Sequence, residues 1–168
     1  MEGFMSEYNK DREAEETVVD YEKYIQDNNW ISAKDGSYLV FESKTKFKYY
    51  REKDVDDDYY YAGKYEIYIG KDAIEYVTDE LSDYGLTEDE IHDLIKRNKE
   101  YTEDNFMLLL LINETWIIDG EDVADKSWTT PYVGCIIDQG DYYAMDLTNM
   151  DAANYFFFEP EDESSFKQ

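Results

Sequence analysis

Four carboxylates stand close together in the run Asp54-Val-Asp-Asp-Asp58, and carboxylates can do two kinds of chemistry: hold a cation or move a proton. A calcium loop begun at Asp54 would place oxygens from Asp54, Asp56 and Asp58 at its first, third and fifth positions. It then puts Tyr59 where the sharp turn needs glycine and Tyr65 where a bidentate glutamate closes the site. The pattern fails where the geometry is strictest, so the expectation is a solvated connection and no metal. Acid–base work by a carboxylate pair has no sequence signature, because 42 acids in 168 residues make close pairs inevitable. The chain has one cysteine, Cys135, and one histidine, His92. A cysteine nucleophile needs a base beside it. Cys135 sits instead in the apolar run Tyr132-Val-Gly-Cys-Ile-Ile137 and reads as a small core residue, while His92 falls on a predicted helix as a boundary side chain. Serine elbows, zinc spacings and phosphate loops are missing. No catalytic residue, no cofactor and no enzyme are expected.

The charge itself is the strongest signal. Sixteen bases leave a net −26, which repels nucleic acid and anionic membranes and so disfavours both as direct partners. Residues 71–105 carry 12 acids against 4 bases and residues 106–168 carry 13 against 2, whereas residues 30–70 are nearly neutral with 8 against 7. In that neutral part Lys44, Lys46 and Lys48 alternate with Phe47 and Tyr49, a strand with one basic and one aromatic face. The first residues lack an apolar leader core, and the run Phe106 to Ile112 is too short to span a bilayer, so a cytoplasmic protein is expected.

The elements that would carry these residues follow from hydrophobic period. Val18, Tyr21 and Ile25 predict a helix within 15–28, in an acidic N-terminal arm over residues 1–29. A single α+β domain over 30–160 follows, then a tail over 161–168, and Pro160 and this tail are expected to be loose. Trp30–Ala33 and Ser37–Phe41 flank Asp35-Gly36, a hairpin signal; Thr45–Tyr50 and Tyr61–Ile69 continue as strands. The period changes over 71–98: Ile74, Val77 and Leu81 predict one helix capped at Gly85, and Thr87-Glu-Asp-Glu90 is a capping box opening a second that turns Ile91, Leu94 and Ile95 inward. Phe106–Ile112 does not alternate, so both of its faces must be covered. Thr115–Ile118 is predicted to pair with it across Asn113-Glu114, residues 119–130 to form a loop, and Tyr132–Ile137, Asp141–Leu147 and Tyr155–Phe158 to complete the sheet. Eight or nine strands in a meander must curl or close. The predicted fold is a curved antiparallel sheet or small meander barrel with an inserted helical pair and an N-terminal helix.

Trp30, the Asp35-Gly36 hairpin and the up-and-down order over residues 30–70 and 106–158 resemble lipocalin-like barrels, from which the helical insertion departs. That resemblance implies a small-ligand or protein-binding module. A pocket lined by Phe47, Tyr49, Tyr65, Ile67 and Tyr143 would support it, and a filled interior would count against it. By composition, residues 71–168 and the arm resemble the acidic, nucleic-acid-mimicking inhibitors that phages and mobile elements use against restriction and CRISPR enzymes. This implies a non-enzymatic inhibitor docked on the basic nucleic-acid channel of a bacterial defence nuclease, in the cytoplasm of the host. Its contact residues would be Asp79, Glu80, Asp83, Glu88, Asp89, Glu90 and Asp93 on the helical pair. Asp119, Glu121, Asp122 and Asp125 would extend the surface from the late loop. An immunity protein against a basic toxin predicts the same acidic face.

Overall fold

The computed structural model describes residues 20–51 and 58–161. Nine strands form one antiparallel sheet: β1 Trp30–Ser32, β2 Tyr38–Phe41, β3 Lys46–Tyr50, β4 Tyr60–Ile69, β5 Phe106–Ile118, β6 Glu121–Asp122, β7 Trp128–Asp138, β8 Tyr143–Asn149 and β9 Tyr155–Pro160. Consecutive long strands pair in sequence order, and β9 returns to pair with β1, so eight strands close into a barrel and β6 adds a short ninth against β5. Closure removes the edges that a long antiparallel sheet would otherwise expose. The helices are α1 Tyr21–Gln26, before the barrel, and α2 Lys71–Asp79 and α3 Glu88–Arg97, joined through a 3-10 turn at Ser82–Tyr84.

β5 explains why the barrel needs a helical insertion. Its unbroken apolar run sends Met107, Leu109 and Leu111 into the barrel core and Phe106, Leu108 and Leu110 outward, and all six are buried. The outward set is covered by Ala73, Ile74 and Val77 of α2 and Ile91 of α3. Each such side chain contributes about 1.5–3 kcal/mol by burial, so a bare outer face on β5 would cost much of a domain's net stability. Thr87 caps α3 as the sequence predicts, its hydroxyl accepting the Glu90 N–H at 3.2 Å, and Gly85 caps the 3-10 turn in the left-handed conformation.

Three local expectations are corrected. β5 does not turn at Asn113-Glu114: it runs through as one 13-residue strand. Opposite it, Ala62 faces Thr115 while Gly63 faces Asn113, leaving Glu114 as the extra residue of a bulge. Gly63 permits this close approach, since a Cβ there would lie 1.9 Å from the Ile112 carbonyl oxygen. The loop predicted over 119–130 is shorter, because Asp119-Gly120, both at positive φ, makes a hairpin that folds β6 back on β5. Pro160 is not the start of a loose tail: it is buried and pairs with Trp30 in the seam that closes the barrel. Its missing N–H costs no bond to β8, whose pairing with β9 ends at Phe158.

Candidate binding site at the barrel mouth

The two ends of the barrel differ. At the base, α1 lies across the opening, set by Asp20, whose carboxylate accepts the Lys23 N–H at 3.1 Å as an N-cap. Ile25 and Trp30 are wholly buried, and the Trp30 indole N–H donates to the Ile25 carbonyl at 2.9 Å. Tyr21 and Tyr24 meet Tyr143 edge-on at 5.5 and 5.2 Å, and the Tyr143 N–H donates to the Tyr24 hydroxyl. Ring edges and faces are used against one another, and the base is a plug.

The other end is open. A cavity of about 750 Å³ is formed where the β1–β2, β3–β4, β5–β7 and β8–β9 connections converge. Its floor is Leu111, Tyr132 and Phe156, with the nearly buried Asn113 held by its amide donating to Thr130 Oγ1 at 3.1 Å and to the Trp128 carbonyl at 3.3 Å. One wall is aromatic: Tyr61 stacks on Trp116 with centroids 5.5 Å apart and planes 16° apart, and Trp128 stands nearly perpendicular to Tyr61 at 6.1 Å. The facing wall is polar, built from Asp35 and Ser37 of the β1–β2 turn and Asn149, Asp151 and Asn154 of the β8–β9 turn. Arg51 stands between the two walls, and the Tyr61–Trp116 pair and Arg51 also border a second hollow of about 390 Å³ that continues over Tyr59, Ile117 and Ile118.

Electrostatics fix the protonation of this wall. Asp35 is partly desolvated, which opposes ionisation, yet the hydroxyl of Ser37 at 2.6 Å and its N–H at 3.0 Å hold the carboxyl below its usual value. Burial, reinforced by the charge of Asp35, pushes the Tyr49 phenol up to about 12 against a hydrogen bond from Ser37. Burial raises Tyr132 further still, although Asn149 hydrogen-bonds its hydroxyl. At neutral pH the Tyr49 and Tyr132 phenols are therefore neutral, and the Asp35 carboxylate beside them is ionised. Asp151 accepts the Tyr84 hydroxyl, which ties the tip of the helical insertion to the rim.

All eleven acids singled out from the sequence are exposed. Asp79, Glu80 and Asp83 lie near the tip that Tyr84 anchors at the mouth, and the Asp119–Asp125 group leaves the same end of the barrel on the β5–β7 connection. Several also serve the fold. Glu88, Asp89 and Glu90 occupy the first turn of α3, where the helix dipole favours them. Asp119 accepts the Tyr59 hydroxyl, and Asp122 accepts the N–H groups of Trp116 and Ala124. Among the described residues, no hydrogen bond of this kind reaches the carboxylates of Asp93, Glu121 or Asp125. Asp54–Asp57 lie outside the described residues, and Asp58 accepts the Gly120 N–H through its backbone carbonyl. Lys48, from the basic strand, faces Glu42 at 3.8 Å. Cys135 is buried beneath Tyr101 on the outer face of the barrel, and desolvation raises its thiol far above the reactive range. His92 stands 3.4 Å from both Glu88 and Glu103. Among the described residues no three His, Cys, Asp or Glu side chains converge as a metal set, and no helix is long and apolar enough to cross a membrane.

Of the pocket residues expected from alternation, Tyr49 alone lines the cavity. Phe47 and Tyr65 are buried in the core, and Ile67 and Tyr143 pack against it. Tyr61, Trp116, Trp128 and Arg51 were not anticipated; each stands within three residues of a strand end beside a turn, the one signal that could have marked them. In comparisons with protein-family models, with curated proteins and with solved structures, nothing matches the chain.

Proposed function

We propose that the protein is a non-enzymatic binding module that takes a small ligand in the mouth of its barrel. The observation that carries this reading is the contrast in packing: one end of a closed barrel is plugged by a helix, and the other keeps an aromatic-walled cavity of about 750 Å³, within the range of roughly 300–1,000 Å³ common to ligand sites. A few fixed polar groups beside apolar walls supply orientation in such sites. The test is a fluorescence titration with the neutral dye N-phenylnaphthylamine. One saturable site, weakened at least tenfold in Trp116→Ala and Trp128→Ala, supports the reading; no enhancement, or binding unchanged in both variants, overturns it.

The outer surface favours a second reading, an acidic inhibitor docked on a basic nucleic-acid channel. Among the described residues, no Lys or Arg lies within ion-pair distance of Asp79, Glu80, Asp83, Asp89 or Asp93. A basic groove would be drawn to them by a long-range field, and exposed carboxylates suit bidentate arginine. A pull-down from bacterial lysate, eluted with rising salt, tests this. Recovery of a nucleic-acid enzyme whose substrate binding the protein blocks, with loss on reversing Asp79, Glu80 and Asp83 to lysine, is the expected result. Capture that is insensitive to salt and to the reversals would contradict it.

A further inference from the structure

We infer that the ligand of the mouth is a neutral, polyhydroxylated ring, a saccharide. The inference rests on the reading of the mouth as a ligand cavity and adds the chemical class of the occupant.

Three classes compete, and the lining separates them. An anion would meet Arg51, but it must pass Asp35 and Asp151 and the exposed acids at the same end of a chain of net −26, so the field that would steer a cation slows and weakens its entry. A cation is favoured by that field, but the fixed positive charge of Arg51 stands within the same cavity, between the aromatic and the polar wall, and opposes it there. A hydrocarbon chain could use the aromatic wall, but it would displace water from the exposed Asp35, Arg51, Asp151 and Asn154 without replacing its hydrogen bonds.

A neutral ring with hydroxyls around its rim meets none of these objections. The outer face of a stacked indole–phenol pair is a flat apolar platform for the C–H face of such a ring. The side chains opposite are planar and forked: Asp35, Asp151, Asn149, Asn154 and Arg51 each offer two polar atoms in one plane, a geometry that matches vicinal hydroxyls on a ring. They offer both acceptors and donors, and a hydroxyl needs both. The fork atoms are also held in place before a ligand arrives: Asp35 by Ser37, Asn149 by the backbone N–H groups of Asp151 and Ala152, and Asp151 by Tyr84. Preorganised groups of this kind favour binding because less freedom is lost on association. The second hollow across the Tyr61–Trp116 pair gives room for a ring beyond the first, so a disaccharide should bind more tightly than its monomer.

The experiment is calorimetric titration of the full chain with glucose, galactose, N-acetylglucosamine and their disaccharides cellobiose, lactose and chitobiose, beside the N-phenylnaphthylamine titration. The expected result is saturable binding of at least one sugar, tighter for its disaccharide. Its affinity should be unchanged between low and high salt and at least tenfold weaker in Trp116→Ala and in Asn154→Ala, with circular dichroism unaltered. If the dye binds at the mouth and no sugar does, the saccharide class is wrong and the cavity reading stands. If neither binds, both fall. Sugar binding that survives both substitutions would place the site elsewhere and also overturn the inference.

Discussion

The base and the mouth of the barrel are built from the same residue types and end in opposite states. At the base Tyr21, Tyr24, Trp30 and Tyr143 set their rings against one another, and the Trp30 indole N–H donates to the Ile25 carbonyl of the covering helix. At the mouth Tyr61, Trp116 and Trp128 also touch, but they wall a cavity, and none of the three is wholly buried as Trp30 is. What separates the two ends is a cover. α1 supplies Ile25 and two tyrosines to the base, whereas the mouth has only turns around it, and those turns contribute carboxylates and amides. An aromatic cluster with a lid is core; the same cluster without one is a surface able to receive a ligand.

The comparison predicts very different costs for similar substitutions. Trp30→Ala removes the largest wholly buried side chain and the shorter of two hydrogen bonds to the Ile25 carbonyl, so about 4 kcal/mol should be lost; urea denaturation measures this, and a loss below about 2 kcal/mol would mean that the base is not a plug. Trp116→Ala, at a half-exposed ring stacked on Tyr61, should cost about 1–2 kcal/mol in the same assay while abolishing most dye binding. A loss as large as that of Trp30→Ala would show the mouth aromatics to be structural.

Alkaline pH should sharpen the contrast further. Tyr49 ionises in the folded state only at about 12, against an ordinary phenol near 10, because burial and the nearby Asp35 carboxylate oppose the anion. A raised folded value means that the stability tied to the neutral phenol is complete below about pH 10 and is lost as pH climbs through 12. The urea midpoint should therefore fall between pH 10 and 12. Tyrosinate absorbance should rise late in wild type, with one fewer late-titrating phenol in Tyr49→Phe. The smallest effect concerns Asp146, on the outer face near Glu100. Desolvation raises its carboxyl value, the Tyr155 hydrogen bond works against that rise, and Glu100 adds to it. Its ionisation at neutral pH thus opposes folding, and that cost disappears below its unfolded value near 4. Asp146→Asn should raise the melting temperature by roughly 1–3 °C at pH 7 and by nothing at pH 3.5.

Much of the barrel was legible because local signals agreed with it. The unbroken apolar run of β5 demanded cover on both faces and received it from the helices whose capping box at Thr87–Glu90 the sequence displays. Asp35-Gly36 marked its hairpin. Asp119-Gly120 carried the same signal inside a stretch whose acidity suggested a loop, and Asn113-Glu114 imitated a turn where a bulge lets the strand continue. The site was harder to read for a physical reason. Alternation tells which face of a strand a side chain occupies and not how far along the barrel axis it lies, so Phe47 and Tyr49 looked equivalent although one is core and the other lines the mouth. The remaining lining comes from separate turns that only closure of the barrel brings together. The acids, by contrast, were placed on the surface correctly by composition, but their use in a helix N-terminus and a hairpin turn depends on positions that charge counting does not weigh.

The chain carries three tryptophans, one at the base and two at the mouth, and their indole N–H signals in a proton–nitrogen correlation spectrum test the central claim directly. On titration with N-phenylnaphthylamine, the peaks of Trp116 and Trp128, assigned through their alanine variants, should move in step and saturate while that of Trp30 stays fixed. Movement of Trp30 with the other two stationary, or three unmoved peaks at saturating dye, would contradict a ligand cavity at the mouth.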